Sequence, residues 1–385
     1  MSPSVEREVL DPGSWRDVAA YVRGLGAECG GLATAIHPAD EMYRYERAIP
    51  YRSREAAAIG YFATGHQILR TVREIAAWRF GGLAAVREFL DFGSGYGRFT
   101  RFLVRELPPR RVTVAEIDPS AVRFQEEAFG VAGIVSDAEP RRVTLDSRFD
   151  VVLAGSFFSH LPERSFGPWL GRLRAGLAPG GVLIFSTHGM ELLPSEPEAG
   201  PRDETAGIVF RPVSETSRLD GADYGTSYVT DAFVREAARG AGEPGDRLLA
   251  FPRGLCGLQD LYVLLAPPPP PDRPELRVSR CPLGGCDGSG IEAGVVSVEG
   301  WAEGDRGEPA PEVRLFLREA LRSPAPGGGA AGTAPEGARR RWRFVFPLSA
   351  VEPDDVVRVE ARSARGAASN LVIGSMRPYL PAAPV

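Results

Sequence analysis

The feature that most limits what this chain can fold into is a glycine-punctuated stretch, Val86-Arg-Glu-Phe-Leu-Asp-Phe-Gly-Ser-Gly-Tyr-Gly-Arg98. An apolar run ends at Asp91, glycines follow at 93, 95 and 97, and Phe99 to Leu107 carries apolar residues at helical spacing. Strand, glycine turn, helix is the layout of a nucleotide-binding crossover, in which turn backbone and a helix start face the ligand. Gly93 and Gly95 let the turn close tightly and a ligand approach backbone that carries no Cβ, while Gly97 lets the helix start pack closely. The dinucleotide fingerprint spaces its glycines G-x-G-x-x-G. Here the third glycine falls one place early and Arg98 stands where it should be. That spacing speaks against a nicotinamide-dependent oxidoreductase.

The 385 residues are enough for two domains, and 43% hydrophobic with 25% charged residues is ordinary for a soluble globular protein. A net charge of −5 gives no electrostatic reason to expect nucleic acid as a partner. No stretch of 18 apolar residues exists, so no membrane span is expected, and the polar start lacks the apolar core of a signal peptide. Four cysteines, at 29, 256, 281 and 286, do not make a disulfide framework, so a cytoplasmic location is the expectation. Cys281 and Cys286 lack the further ligands of a metal site, and no metal is expected.

Residues 1–50 show little periodicity and read as an N-terminal extension with short helices. From Ser53 to Arg79 apolar positions recur at helical spacing. That helix could cover one end of the sheet, with Tyr61, Gly65 and His66 either reaching a ligand or merely packing. Arg111-Val-Thr-Val-Ala-Glu-Ile-Asp-Pro-Ser120 reads as a second strand. Glu116 lies 19 residues past Gly97, the spacing expected of an acid that accepts from both hydroxyls of a ribose. Asp118, before Pro119, is placed to cap the next helix. Val131 to Ser136 is a third strand, and Phe149 to Ser156, apolar on both faces, a buried fourth. Phe157-Phe-Ser-His-Leu-Pro162 follows it, then a helix, then Ala178-Pro-Gly-Gly181 and a fifth strand, Val182 to Thr187.

Three features in this order, D-x-G-x-G-x-G at 91–97, the acid at 116, and F-D-V-V…H-L-P…L-x-P-G-G-V-L from 149, resemble the class I S-adenosylmethionine-dependent methyltransferases. The resemblance covers about 100 residues. It implies a doubly wound, mostly parallel seven-stranded α/β sheet, completed by a helix from Thr230 and a hairpin from Leu248–Phe251 and Leu258–Leu265. It implies S-adenosyl-L-methionine as cofactor, contacted by Asp91, Gly93, Ser94, Gly95, Gly97, Glu116, Ile117, Asp137, Gly155 and Ser156. Asp91 would help hold the amino-acid end. Asp137 is either an acceptor for the adenine amino group or an exposed turn residue.

His160 and His188 follow the fourth and fifth strands, at the edge where open α/β sheets bind ligands, and are the candidate catalytic residues. Tyr224 and Asp260 are weaker candidates. No Asn/Asp-Pro-Pro-aromatic motif and no Pro-Cys follow strand four. The expected acceptor is therefore a small-molecule or glycan hydroxyl.

Five prolines at 267–271 mark a boundary, after which the periodicity changes to two. The expected division is 1–50 extension, 51–266 methyltransferase domain, 267–288 linker and 289–385 antiparallel β-sandwich. The polar stretch from His188 to about Asp220 is expected to be a substrate lid. The competing reading is an adaptor that keeps the cofactor fold while the sandwich binds glycan or protein.

Overall fold

A computed structural model describes residues 9–26, 29–50, 52–193, 207–213, 219–269, 274–304, 309, 311–322, 340–352 and 355–375. The chain divides into two compact units, Met1–Arg70 with Ser279–Val385, and Thr71–Val278. Among the described residues no helix is long and apolar enough to cross a membrane. Most of the expected lid, 194–206 and 214–218, lies outside them.

Three helices open the chain: α1 (Arg16–Gly24), α2 (Glu41–Ala48) and α3 (Arg54–Phe80). Asp40 caps α2 by accepting from Tyr43 N at 3.1 Å. Its other oxygen accepts the Tyr61 hydroxyl at 2.6 Å. Tyr61 is fully buried, so this candidate ligand contact is a packing residue. From Thr71 onward α3 belongs to the second unit. There Arg79 Nε donates to the Gly180 carbonyl at 2.9 Å and Arg79 Nη2 to that of Pro268 at 2.8 Å.

The second unit is the α/β unit. Its elements are β1 (Phe89–Phe92), α4 (Thr100–Glu106), β2 (Val112–Glu116), α5 (Pro119–Phe129), β3 (Ala132–Val135), β4 (Phe149–Ala154), α6 (Glu163–Ala175), β5 (Leu177–Gly189), β6 (Ile208–Arg211), β7 (Thr226–Val229), α7 (Asp231–Ala241), β8 (Arg247–Leu255) and β9 (Gln259–Leu265). They build one nine-stranded sheet. β3, β2, β1, β4 and β5 lie side by side in that order and parallel, and β9 and β8 continue antiparallel to them. These are the seven strands expected. Of the remaining two, β6 comes from the polar stretch expected as a lid and β7 from the residues that follow it. Parallel strands covered on both faces are apolar throughout, and every residue of β1 and β4 is buried. The helices start and stop on local signals. Asp118 accepts from Ser120 N with Pro119 at N1 of α5, Gly130 ends α5 in the left-handed region, and Thr230 caps α7. The order reverses between β1 and β4, the place where open α/β sheets bind ligands.

The first unit gains β10 (Leu283–Glu292), β11 (Val295–Glu303), β12 (Glu312–Leu317), β13 (Ala320–Arg322), β14 (Arg340–Pro347), β15 (Val356–Arg362) and β16 (Ala368–Ser375). They form two antiparallel sheets, β10-β11-β14 and β13-β12-β15-β16. Val296, Val298, Trp342 and Phe344 of the first share a core with Leu315, Leu317, Val357 and Val359 of the second. β10 runs through the glycine-rich segment around Cys286 that reads as a loop in sequence. It forms because nine of its residues pair with β11.

Helix α1 is part of this unit. Buried Asp17 accepts from Val356 N at 3.3 Å. Asp355, 1% exposed, accepts from Arg16 at 2.9 Å and from Arg318 at 2.7 Å. Buried Arg358 pairs with both oxygens of Glu319 at 2.8 Å and with Glu360 at 2.7 Å, and its guanidinium lies 5.2 Å from the Tyr21 ring centre. Arg16 and Arg318 are partly exposed and stay hydrated without Asp355, so Asp355→Ala loses charge-assisted hydrogen bonds rather than stranding a buried charge. It should cost about 2 kcal/mol of stability, read as a lower midpoint in urea. An unchanged midpoint would mean that this network does not hold α1 to β15.

Candidate active site at the carboxyl edge of the sheet

The turn between β1 and α4 holds three left-handed glycines, with φ of 67° at Gly93, 54° at Gly95 and 77° at Gly97. Side-chain groups from β2 and α5 keep it in that shape. Glu116 Oε2 accepts from Gly95 N at 2.9 Å, and Oε1 accepts from Ile117 N at 2.7 Å. Gln125 Nε2 donates to Ser94 Oγ and to the Gly95 carbonyl, both at 2.8 Å. The Tyr96 hydroxyl donates to Asp118 Oδ2 at 2.7 Å. The glycine turn, the ribose-spaced acid and the cap of α5 are therefore one hydrogen-bonded assembly.

A Cβ on Gly95 or Gly155 would meet nothing within 4 Å, so both face open space. A Cβ on Gly93 would lie 3.5 Å from the Phe157 ring, which bounds that space. A Cβ on Gly97 would collide with the ring of Phe129 and lie 2.9 Å from Gln125 Oε1. So Gly95 and Gly155 leave room for a ligand, whereas Gly97 leaves room for α5.

Asp91 sits under the turn, buried, and accepts from Thr100 Oγ1 at 2.7 Å. Burial pushes its carboxyl up to about 7, and the nearby Glu116 charge adds to the rise. Below about 4 the acid is neutral whether folded or unfolded, and its contribution to stability is complete. As pH climbs through 7 the folded protein must ionise it against that burial, and the contribution is lost. Glu116 is also raised by burial, opposed by its three backbone donors. Asp137 has the geometry of a turn residue, with Oδ1 accepting from Glu139 N at 2.8 Å and Oδ2 3.8 Å from Arg142.

The second part of the site lies after β4 and at the end of β5. Ser156 takes a left-handed φ of 61°. Its N–H donates to Ser186 Oγ at 2.8 Å. Both serine hydroxyls donate to Gln259 Oε1, at 3.0 and 2.7 Å. With its oxygen so engaged, Gln259 turns its amide nitrogen to His188 Nε2 at 3.1 Å. That nitrogen is then the acceptor, and the neutral ring carries its proton on Nδ1. His160 Nδ1 lies 2.8 Å from the Gly225 carbonyl. A carbonyl only accepts, so Nδ1 carries the proton there too, and the lone pair of neutral His160 is on Nε2. The His160 ring stacks on Tyr224 at 4.7 Å and stands 6.3 Å from His188.

The two histidines read from sequence are thus brought together, with Tyr224 beside them. Asp260 accepts from Arg253 N at 2.8 Å through Oδ1, its Oδ2 lies against Gly189 beside His188, and burial raises its pKa. Gln259, Ser186 and Gln125 were not legible as site residues. Gln259 opens a strand beside a polar turn, and only the pairing of Thr187 with Asp260 brings it against β5.

Residues 90–183 match the family model of a methyltransferase domain. A ribosomal protein L11 methyltransferase of Agrobacterium fabrum is 26% identical over 196 residues, 47% of this chain and 61% of that protein. A malonyl-[acyl-carrier protein] O-methyltransferase of Acetivibrio thermocellus is 26% identical over 103 residues, 26% of this chain and 36% of that protein. The chain spans less than two thirds of the length of these relatives. Among solved structures, the 1,6-didemethyltoxoflavin-N1-methyltransferase of Burkholderia thailandensis, with bound 1,6-didemethyltoxoflavin and S-adenosylhomocysteine, aligns with 52% of this chain and 78% of its own, at 20% identity and a TM-score of 0.35.

Gly97→Ala combines a left-handed φ with the collision against Phe129. It should destabilise the protein by about 3 kcal/mol in denaturant titration. A loss below about 1 kcal/mol would show that α5 gives way and that Gly97 is not needed for packing.

Proposed function

We propose that this chain, which carries a class I S-adenosylmethionine-dependent methyltransferase domain, methylates a hydroxyl of a small molecule or glycan, with His160 as general base. The observation that carries the reading is the oriented imidazole of His160, one strand over from an open glycine turn. The turn fits the cofactor: Gly95 and Gly155 face open space, and Glu116 is a half-buried carboxylate fixed by backbone donors. Glu116 would take the ribose hydroxyls. Asp91 would face the amino-acid end, and Phe157 would bound the pocket. When bound, the cofactor supplies an electrophilic methyl group on a positively charged sulfur.

What the chain adds is position and a proton acceptor. Held reactants lose the entropy cost of meeting, and a hydroxyl becomes a competent nucleophile as its proton leaves. His160 Nε2 is the nitrogen for that proton, because Gly225 fixes the ring through Nδ1. His188 has its acceptor nitrogen engaged by Gln259, so it serves as an acceptor contact rather than as the base.

Two measurements test this reading. Labelled cofactor incubated with a metabolite extract should label small-molecule or glycan hydroxyls, and His160→Gln should lower kcat by about 10²- to 10⁴-fold with unchanged cofactor affinity. Label appearing on nitrogen or carbon, or full activity in the variant, would sink it. Separately, a cationic ligand favours the ionised form of Asp91. Affinity for S-adenosyl-L-methionine should then weaken below pH 7, by a factor approaching about tenfold per pH unit, and Asp91→Asn should flatten the profile. Calorimetry across pH 5.5 to 8 checks this, and a wild-type profile as flat as the variant's removes Asp91 from the cofactor site.

A further inference from the structure

Arg211 ends β6, opposite Thr226 of β7, and Val209 two residues earlier lies opposite Tyr228. Alternation along paired strands puts Arg211, Val209, Thr226 and Tyr228 on one face. The Arg211 guanidinium lies 5.6 Å from the centre of the Tyr228 ring, and Tyr228 lies 5.5 Å from His188. Tyr228 is also the strand partner of His188, so Arg211 is one aromatic ring away from the histidine pair.

This half-buried arginine differs from Arg174, Arg358 and Arg101, which carboxylates or carbonyls engage. Arg174 is held by both oxygens of Asp246, at 2.7 and 2.8 Å, and Arg358 by Glu319 and Glu360. Arg101 donates to the carbonyls of Gly97 and Tyr96. Arg211 Nε and Nη2 are buried and have no hydrogen-bond partner. A permanently charged, forked donor with two of its nitrogens shielded from water and unpartnered is an unfavourable arrangement by itself, and a planar anion offering two oxygens lowers the penalty.

We propose that Arg211 is the acceptor-binding residue for a carboxylate, so that the methyl acceptor is a hydroxy acid held by its carboxylate while its hydroxyl lies at the histidines. The proposal rests on the reading of His160 and His188 as the reacting end. Carboxylate rather than phosphate follows from charge. Arg211 is the one permanent cation among Tyr224, Tyr228, Gln259, the two histidines and itself. Beside His188, the Asp260 and Glu191 carboxylates both close on Gly189, which disfavours a dianion. The ring of Tyr228 between cation and histidine suits an acceptor with an apolar, planar body joining its two polar ends.

Calorimetric titration of the full chain tests this. The chain is first saturated with S-adenosylhomocysteine, then titrated with benzoate, the neutral isostere benzamide, or phenyl phosphate. Benzoate should bind about tenfold more tightly than benzamide, the preference should vanish in Arg211→Gln, and phenyl phosphate should bind more weakly than benzoate. Equal binding of benzoate and benzamide, no heat from benzoate, a preference that survives Arg211→Gln, or tighter phenyl phosphate overturns the assignment. A wild-type chain that fails to take S-adenosylhomocysteine sinks the methyl-transfer reading instead, and the benzoate comparison is then made without it. Thermal unfolding separates binding from structure. Arg211→Met should leave Tm unchanged or higher, because an unpartnered buried charge is removed. A fall of more than about 4 °C would make Arg211 a structural residue and overturn the proposal.

Discussion

The hydrogen bond from Gly95 N to the Glu116 carboxylate is the contact on which the site's geometry depends. Three glycines with positive φ lose more chain entropy on ordering than other residues would, so nothing local makes this turn rigid. Glu116 supplies the missing constraint from the end of the neighbouring strand, and Gln125 supplies a second from the helix behind it. Because β1 and β2 are adjacent parallel strands in fixed register, the distance between turn and carboxylate is set by the sheet rather than by the loop. The acid at the ribose spacing is also the acid that holds the turn in shape.

The parts of this architecture visible in the sequence are those whose cause is local. Buried parallel strands have to be apolar on both faces, so β1, β4 and β5 announce themselves as runs of Phe, Val, Leu and Ile. The spacing of the three glycines and of Glu116 is fixed by a turn and one crossover, and both fall within 31 residues of sequence, Val86 to Glu116. Asp118 and Thr230 are legible as caps because a cap satisfies donors two or three residues away.

What stayed hidden depends on partners distant in sequence. β10 has four glycines and little intrinsic strand preference, and exists because β11 offers a full edge to pair with. β6 and β7 are four-residue strands, and among the described residues they pair with the rest of the sheet through His188 and Gly189 at the far end of β5. Gln259 reads as an unremarkable strand opening until the antiparallel pairing of β9 with β5 sets it beside Ser186 and His188. Arg211 has no sequence signature at all, since its distinguishing property is the absence of a hydrogen-bonding partner for two of its nitrogens.

The unusual length of β5 connects these observations. Its residues Val182 to Thr187 pair with β9, and the pairing passes to β7 at His188. A shorter strand would end with His188 in a loop. Here it is held between Gln259 on one side and Tyr228 on the other. The bond from Gln259 also divides the labour between the histidines. Gln259 Oε1 accepts from both serine hydroxyls, so its amide nitrogen is the group that faces His188, and a donor there makes His188 Nε2 the acceptor. The groups that orient His188 are thus the same ones that engage Ser156 in its left-handed turn. His160 is oriented instead by the Gly225 carbonyl, which takes its proton-bearing Nδ1 and so puts the ring's lone pair on Nε2.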